Sequence, residues 1–280
     1  MNTHIVMPRT RSPPRPAGKK TREKGAVCVG LSLPQGAGKT TLADSMTNAL
    51  ETMGYRVAVV SYDDFYLTRK DQESLQRLHK GNSYLHGRGV AGTHDIALGN
   101  EILDSMTSAS SGKIVVPRYD KTRFDGQGDR MPREKWHTTN GPLDLVILEG
   151  WMLGFDGKDI SRDTIRKQFP GMEVVHDYIG KYDSWISKLD AALIAGVEDI
   201  NAVYKWREEA EKKNRDQGLG AMRSEEVKIF CDRYMPSYRT YAPKLYAEGI
   251  RGVSSERTLQ FMLNAEREPV VSACPAEMSL

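Results

Sequence analysis

The chain has 280 residues, and its 40 Lys and Arg against 37 Asp and Glu leave a formal net charge of +3. That excess belongs to residues 1–22, which hold Arg9, Arg11, Arg15, Lys19, Lys20 and Arg22 and no acid, so the rest carries 34 bases against 37 acids, or −3. A slightly acidic body argues against a nucleic-acid partner, which needs a basic face; no run of about 18 uncharged apolar residues exists, so no membrane span is expected. Cys28, Cys231 and Cys274 are scattered without CxxC spacing, which fits a reducing compartment and speaks against a disulfide frame or a zinc site.

Segment 1–24 contains Pro8, Pro13, Pro14 and Pro16 and almost no apolar periodicity, which predicts a disordered basic tail. It is Arg-rich and acid-free as a transit peptide would be, but it is short, poor in Ser and without an amphipathic helix. A cytoplasmic protein is the expectation, with a chloroplast or another organelle as the alternative. Residues 26–33 (AVCVGLSL) read as a short apolar strand that ends in a Gly-rich loop. Residues 40–53 carry Leu42, Met46, Ala49 and Leu50 at helical spacing and stop near Gly54. Residues 56–61 (RVAVVS) read as a second buried strand, 96–106 as a helix and 113–116 as a strand. Strands follow at 143–148 (LDLVIL) and 191–197 (AALIAGV), and the polar stretch 156–184 between them reads as an insertion or a flanking helix. Residues 201–215 and 224–246 read as helices, with Pro236 kinking or breaking the second, and 258–263 as a last strand. Short apolar strands separated by helices predict an α/β fold, a mostly parallel sheet with helices on both faces. One domain is expected over residues 25–270, with a helical lid at about 203–222 and a flexible end at 271–280.

Pro34, Gln35, Gly36, Ala37, Gly38, Lys39, Thr40 and Thr41 stand between the first strand and the first helix, where a P-loop belongs. Gly36 and Gly38 permit backbone angles that turn successive N–H groups inward, and with the helix N-terminus these make an anion cradle. Lys39 is placed to reach the β- and γ-phosphates of ATP, and the Thr40 hydroxyl to ligate Mg²⁺. The first Gly of the GxxxxGK[ST] pattern is Leu33 here. No NKxD stretch is present, which disfavours a guanine-specific GTPase. The fold expected is therefore the P-loop NTPase three-layer arrangement.

The second strand runs into Ser61-Tyr62-Asp63-Asp64-Phe65-Tyr66. Parallel strands deliver their C-terminal ends to one edge, so Asp63 and Asp64 arrive beside the P-loop. A kinase needs a group there to orient and deprotonate the acceptor hydroxyl. Neighbours on an extended segment point oppositely, so one of the two faces the reaction. The bland alternative is an Asx-capped turn that feeds the next helix. Leu148-Glu149-Gly150-Trp151 places a single acid after an apolar strand, the Walker B layout, so Glu149 is expected to hold Mg²⁺ or to position the attacking group.

PQGAGKTT, SYDDFYLT, GRGVAGTHD, PRYDKTRFDGQGDR and LEGWMLGF occur in this order. In these motifs, and in VYKWREEAEKKNRDQGLGAM and RYMPSY, the chain resembles the D-glycerate 3-kinase family over roughly residues 26–249. That family includes a related fungal kinase and lies within the larger uridine kinase, phosphoribulokinase and pantothenate kinase group. The resemblance implies transfer of the ATP γ-phosphate to the 3-hydroxyl of D-glycerate, with ATP and Mg²⁺ as cofactors. It also implies that Asp63 is the base, with Asp64 second. A monomer or a small homo-oligomer is expected. Glycerate is a small carboxylate, so its pocket calls for fixed cations. Arg88, His94 and Asp95 in the first loop, and Arg118, Tyr119, Lys121, Arg123 and Arg130 in the second, are the candidates for the substrate, with Arg88, Lys121 and Arg130 foremost. Tyr119 and Asp120 are expected to end the third strand on the active edge. The 203–222 segment carries Arg207 and Arg215, which suit a lid that neutralises phosphoryl charge, or equally an exposed helix with i,i+4 pairs. The rival functions are a related kinase acting on a uridine-like, pentose-like or unknown acceptor, and a non-catalytic ATP-binding protein.

Overall fold

A computed structural model describes residues 25–124, 126–218 and 222–270. The expectations for the tail at 1–24 and the end at 271–280 lie outside the described residues. In chain order the elements are β1 (Val27–Ser32), α1 (Lys39–Thr52), β2 (Val57–Ser61), α2 (Arg69–Leu78), α3 (Ile96–Thr107), β3 (Gly112–Val116), β4 (Tyr119–Asp120), β5 (Asp129–Arg130), β6 (His137–Gly141) and β7 (Leu145–Gly150). There follow α4 (Arg162–Gln168), α5 (Met172–Ile179), α6 (Asp183–Ile186), β8 (Ala191–Val197), α7 (Ala202–Asp216), α8 (Ser224–Asp232), α9 (Met235–Glu248), β9 (Thr258–Leu263) and β10 (Pro269–Val270).

Among the described residues the main sheet has six strands in the order β10-β9-β8-β1-β7-β2. Every pairing in it is parallel except that of β10 with β9. Buried on both sides, β7 reads as an unbroken apolar run, with Val146, Ile147 and Leu148 fully buried. The register sets Leu31 and Ser61 on either side of Glu149, so the ends of β1, β7 and β2 open onto one edge. No helix of the described residues is long and apolar enough to cross a membrane.

Three expectations change. The strand at 113–116 does not join the parallel sheet. As β3 it pairs antiparallel with β6, from Gly112 opposite Gly141 to Val116 opposite His137. The HTTNG sequence of β6 has no apolar alternation, so that partner left no mark in the chain. Tyr119 and Asp120 accordingly do not end a sheet strand; they form β4, paired with Arg130 and Asp129 of β5. The stretch 156–184 is no peripheral insertion. Ile165 of α4, Met172, Val175 and Ile179 of α5, and Tyr182 beyond it all lie in the core. As expected at Pro236, the second C-terminal helix is broken: α8 stops at Asp232 and α9 starts at Met235 with Pro236 in its first turn, where the missing N–H has no partner to lose.

Candidate active site

The loop from Pro34 to Thr41 turns at two glycines, Gly36 with φ 79° and Gly38 with φ 93°, and Gly38 caps α1. Both angles lie in the left-handed region that favours glycine. A Cβ on Gly36 would stand 2.7 Å from Cβ of the buried Trp206 of α7. The loop is gripped from outside as well. Tyr238 of α9 accepts from the Gln35 N–H at 2.9 Å, and Arg267 Nε donates to the Gly36 carbonyl at 2.8 Å. Leu33, at the position of the missing first glycine, is a buried core residue. Lys39 folds back along the cradle, with Nζ donating to the carbonyls of Leu33 at 3.3 Å and Pro34 at 3.1 Å. Thr40 and Thr41 begin α1 on its exposed side. Burial lowers the Lys39 ammonium below its usual value, while Glu149 and Asp63 pull it back up.

Asp63 and Asp64 do not sit on extended chain. Residues Tyr62–Phe65 form a 3₁₀ turn capped by Ser61. Asp64 closes the cap by accepting from the Ser61 N–H at 3.1 Å, and both its oxygens take Arg118 Nη1 at 2.9 Å. Asp64 therefore serves the capped turn, whereas Asp63 is left outside the cap. Asp63 faces Lys121, whose ammonium is bonded to Oδ2, and it accepts from the Tyr66 hydroxyl. Burial raises its carboxyl, but Lys121, Tyr66 and Lys39 outweigh that and hold it down at about 2. Across the sheet edge Glu149 accepts from the Ser61 hydroxyl, and burial raises it despite the nearby Lys39. Its Oε2 is buried and has no partner in the protein.

The two acceptor loops are braced internally. Arg88 Nη1 donates to the carbonyls of Gly126, at 2.8 Å, and Gln127, and its guanidinium lies over the Tyr119 ring. Arg130 Nη2 meets Asp95 at 3.1 Å and the Tyr66 carbonyl at 2.8 Å. Asp95 also caps α3 through the Leu98 N–H. His94 is buried among Tyr62, Tyr66, Tyr182 and Trp185, with Nδ1 2.6 Å from the Tyr182 hydroxyl. Burial drops its imidazole to about 3, so it is neutral at physiological pH. Arg207 and Arg215 are paired within the α7–α8 region. Arg207 meets Glu211 at 2.5 Å, and Arg215 meets Glu208 at 2.6 Å and the Met222 carbonyl. Asp63, Lys39 and Glu149 come together; Asp64, Arg207 and Arg215 are engaged elsewhere. Tyr66, Tyr238 and Arg267 were missed by the sequence reading. Of these only Tyr66 carried a signal, as the last residue of SYDDFY.

No model of a known protein family matches the chain. The chain is 39% identical over 247 residues to the chloroplastic D-glycerate 3-kinase of Arabidopsis thaliana, which covers 87% of this chain but 54% of the plant protein. It thus spans about half the length of that relative. It is 32% identical to the uncharacterized kinase mug58 of Schizosaccharomyces pombe, over 92% of this chain and 93% of the yeast one. A solved structure of D-glycerate 3-kinase from Cryptococcus neoformans var. grubii matches with a TM-score of 0.77 at 30% identity, covering 89% of this chain and 90% of that one. With the P-loop on its parallel sheet, and with likeness of this extent to the fungal proteins, the chain belongs to the D-glycerate 3-kinase family of P-loop kinases.

Proposed function

We propose that the chain is an ATP-dependent D-glycerate 3-kinase, which converts D-glycerate and ATP to 3-phosphoglycerate and ADP. The observation that carries the reading is the meeting of Lys39, Asp63 and Glu149 at one sheet edge, in a chain whose relatives include named D-glycerate 3-kinases. Lys39 and the N–H groups of residues 36–41 hold the phosphates of ATP, and Asp63 takes the proton of the acceptor hydroxyl. The acceptor oxygen bonds to the γ-phosphorus while the bond to the bridging oxygen breaks, and ADP leaves with that electron pair. Mg²⁺ fits the residues present: Glu149 offers a buried carboxylate oxygen without a partner, and Thr40 offers a hydroxyl at the mouth of the loop. They would hold the ion, which offsets charge on the β- and γ-phosphates. Arg88 and Arg130 shape the acceptor loops through their internal bonds, and Tyr119 supports Arg88. For α7 to act as a lid, Arg207 and Arg215 must exchange their partners Glu211 and Glu208 for phosphate when ATP binds.

Purified protein with ATP, Mg²⁺ and D-glycerate should release ADP at roughly 1–100 s⁻¹, the range for kinases, and yield the 3-phosphate by NMR. Turnover absent with D-glycerate but present with uridine or a pentose would overturn this reading.

A further inference from the structure

We propose that Lys121 gates the reaction by occupying Asp63 until the carboxylate of the acceptor draws it away; this rests on the kinase reading above. The Asp63 oxygen that would receive the hydroxyl proton, Oδ2, is the one bonded to the Lys121 ammonium. No other carboxylate on this turn is free to replace it, because Asp64 is spent on the Ser61 N–H and on Arg118. While Lys121 stays, Asp63 is a weak base, held at about 2, and its lone pair is covered.

The mobility needed is in the Lys121 side chain and not in its backbone. The Lys121 side chain is 54% exposed. Its carbonyl, and those of Gly126 and Gln127, are approached by the Arg88 guanidinium, which anchors the turn between β4 and β5. The other loop cations are committed to internal partners, Arg118 to Asp64, Arg123 to Asp129 and Arg130 to Asp95. A lysine on a flexible stem can change partner without losing its charge. Water and neutral alcohols bring no anion to compete with Asp63. A hydroxy acid brings one, and on a short acid the carboxylate and the hydroxyl lie close enough to meet Lys121 and Asp63 together. The released Oδ2 then accepts the hydroxyl proton as the new P–O bond forms and ADP departs. Lys121 remains protonated throughout. The device selects carboxylated alcohols and suppresses transfer of the phosphoryl group to water.

The test compares wild type, Lys121→Met and Lys121→Arg in the full chain. Three quantities are read: kcat/KM for D-glycerate against glycerol, ATP hydrolysis without acceptor, and the Kd of a fluorescent ATP analogue. For Lys121→Met, kcat/KM for D-glycerate should fall by about 10–100-fold, the worth of one charge-assisted hydrogen bond, mostly through KM. Glycerol, which like water brings no anion, should hold or gain, so the selectivity ratio collapses, and acceptor-free hydrolysis should rise. Lys121→Arg should keep the ratio, and an unchanged Kd for the analogue shows that both variants are folded. If Lys121→Met keeps the wild-type ratio and hydrolysis rate, or loses both acceptors equally without added hydrolysis, Lys121 only orders its loop and the gate is wrong. A wild type that phosphorylates no hydroxy acid overturns the glycerate kinase reading itself, in an arm separate from the variants.

Discussion

The phosphate cradle and the acceptor loops meet at the same sheet edge, but they are built differently. The cradle is one contiguous stretch, residues 34–41, whose function rests on backbone N–H groups and two left-handed glycines. The acceptor side draws on segments between Asp63 and Arg130, and its cations are matched one by one to internal partners. A polyanion such as ATP is held by a preformed shape. On the other side Lys121 is the exposed cation, and it is paired with Asp63, the base of the proposed reaction. A charge counted in the sequence is therefore not a charge available to a ligand.

The largest effect should separate the two aspartates. Asp63→Asn should lower kcat by about 10²–10⁴-fold, the usual worth of a general base, with ATP affinity nearly intact by nucleotide titration. Asp64→Asn should instead lower the melting temperature through loss of about 1–2 kcal/mol in the bond to Arg118, which is partly exposed, and leave kcat within tenfold. The reverse pattern would exchange their roles. Lys39→Ala tests the cradle and should cost about 10²–10³-fold in kcat while weakening ATP binding, since it removes a preorganised charge from the developing phosphoryl. Full ATP affinity in that variant would contradict the assignment.

Gly36→Ala tests how tightly the cradle is gripped. Its Cβ meets Trp206 at 2.7 Å in a left-handed backbone, so thermal unfolding should show a loss of about 1–3 kcal/mol. Unchanged stability would mean that α7 yields easily. The effect that is smallest near neutral pH concerns His94 on the acceptor side. Its folded value, about 3, lies below the ordinary 6.5, so its contribution is complete above 6.5 and is lost as pH falls toward 3. Stability should drop by up to about 1.4 kcal/mol for each pH unit in that window, and His94→Asn should flatten the slope. An equal slope in the variant would assign the acid sensitivity to other groups.

The sequence by itself determined the P-loop, the strands that carry Ser61 and Glu149 to its edge, and the set of residues from which the site is drawn. These are legible because apolar runs, glycine positions and the GKTT stretch act over a few neighbouring residues. It could not show that β3 leaves the sheet for β6, because HTTNG carries no pattern, nor that 156–184 enters the core. The motif resemblance ranked Asp63 above Asp64, but the sequence could not show how differently the two are held. Their different surroundings follow from a capped turn in which Arg118, more than fifty positions away, pairs with Asp64 while Lys121 covers Asp63. The grip of Tyr238, Trp206 and Arg267 on the cradle is likewise a matter of distant contacts. Tertiary structure decided these points because the pairing of charges and the closeness of side chains depend on distance in space, which no local pattern of residues encodes.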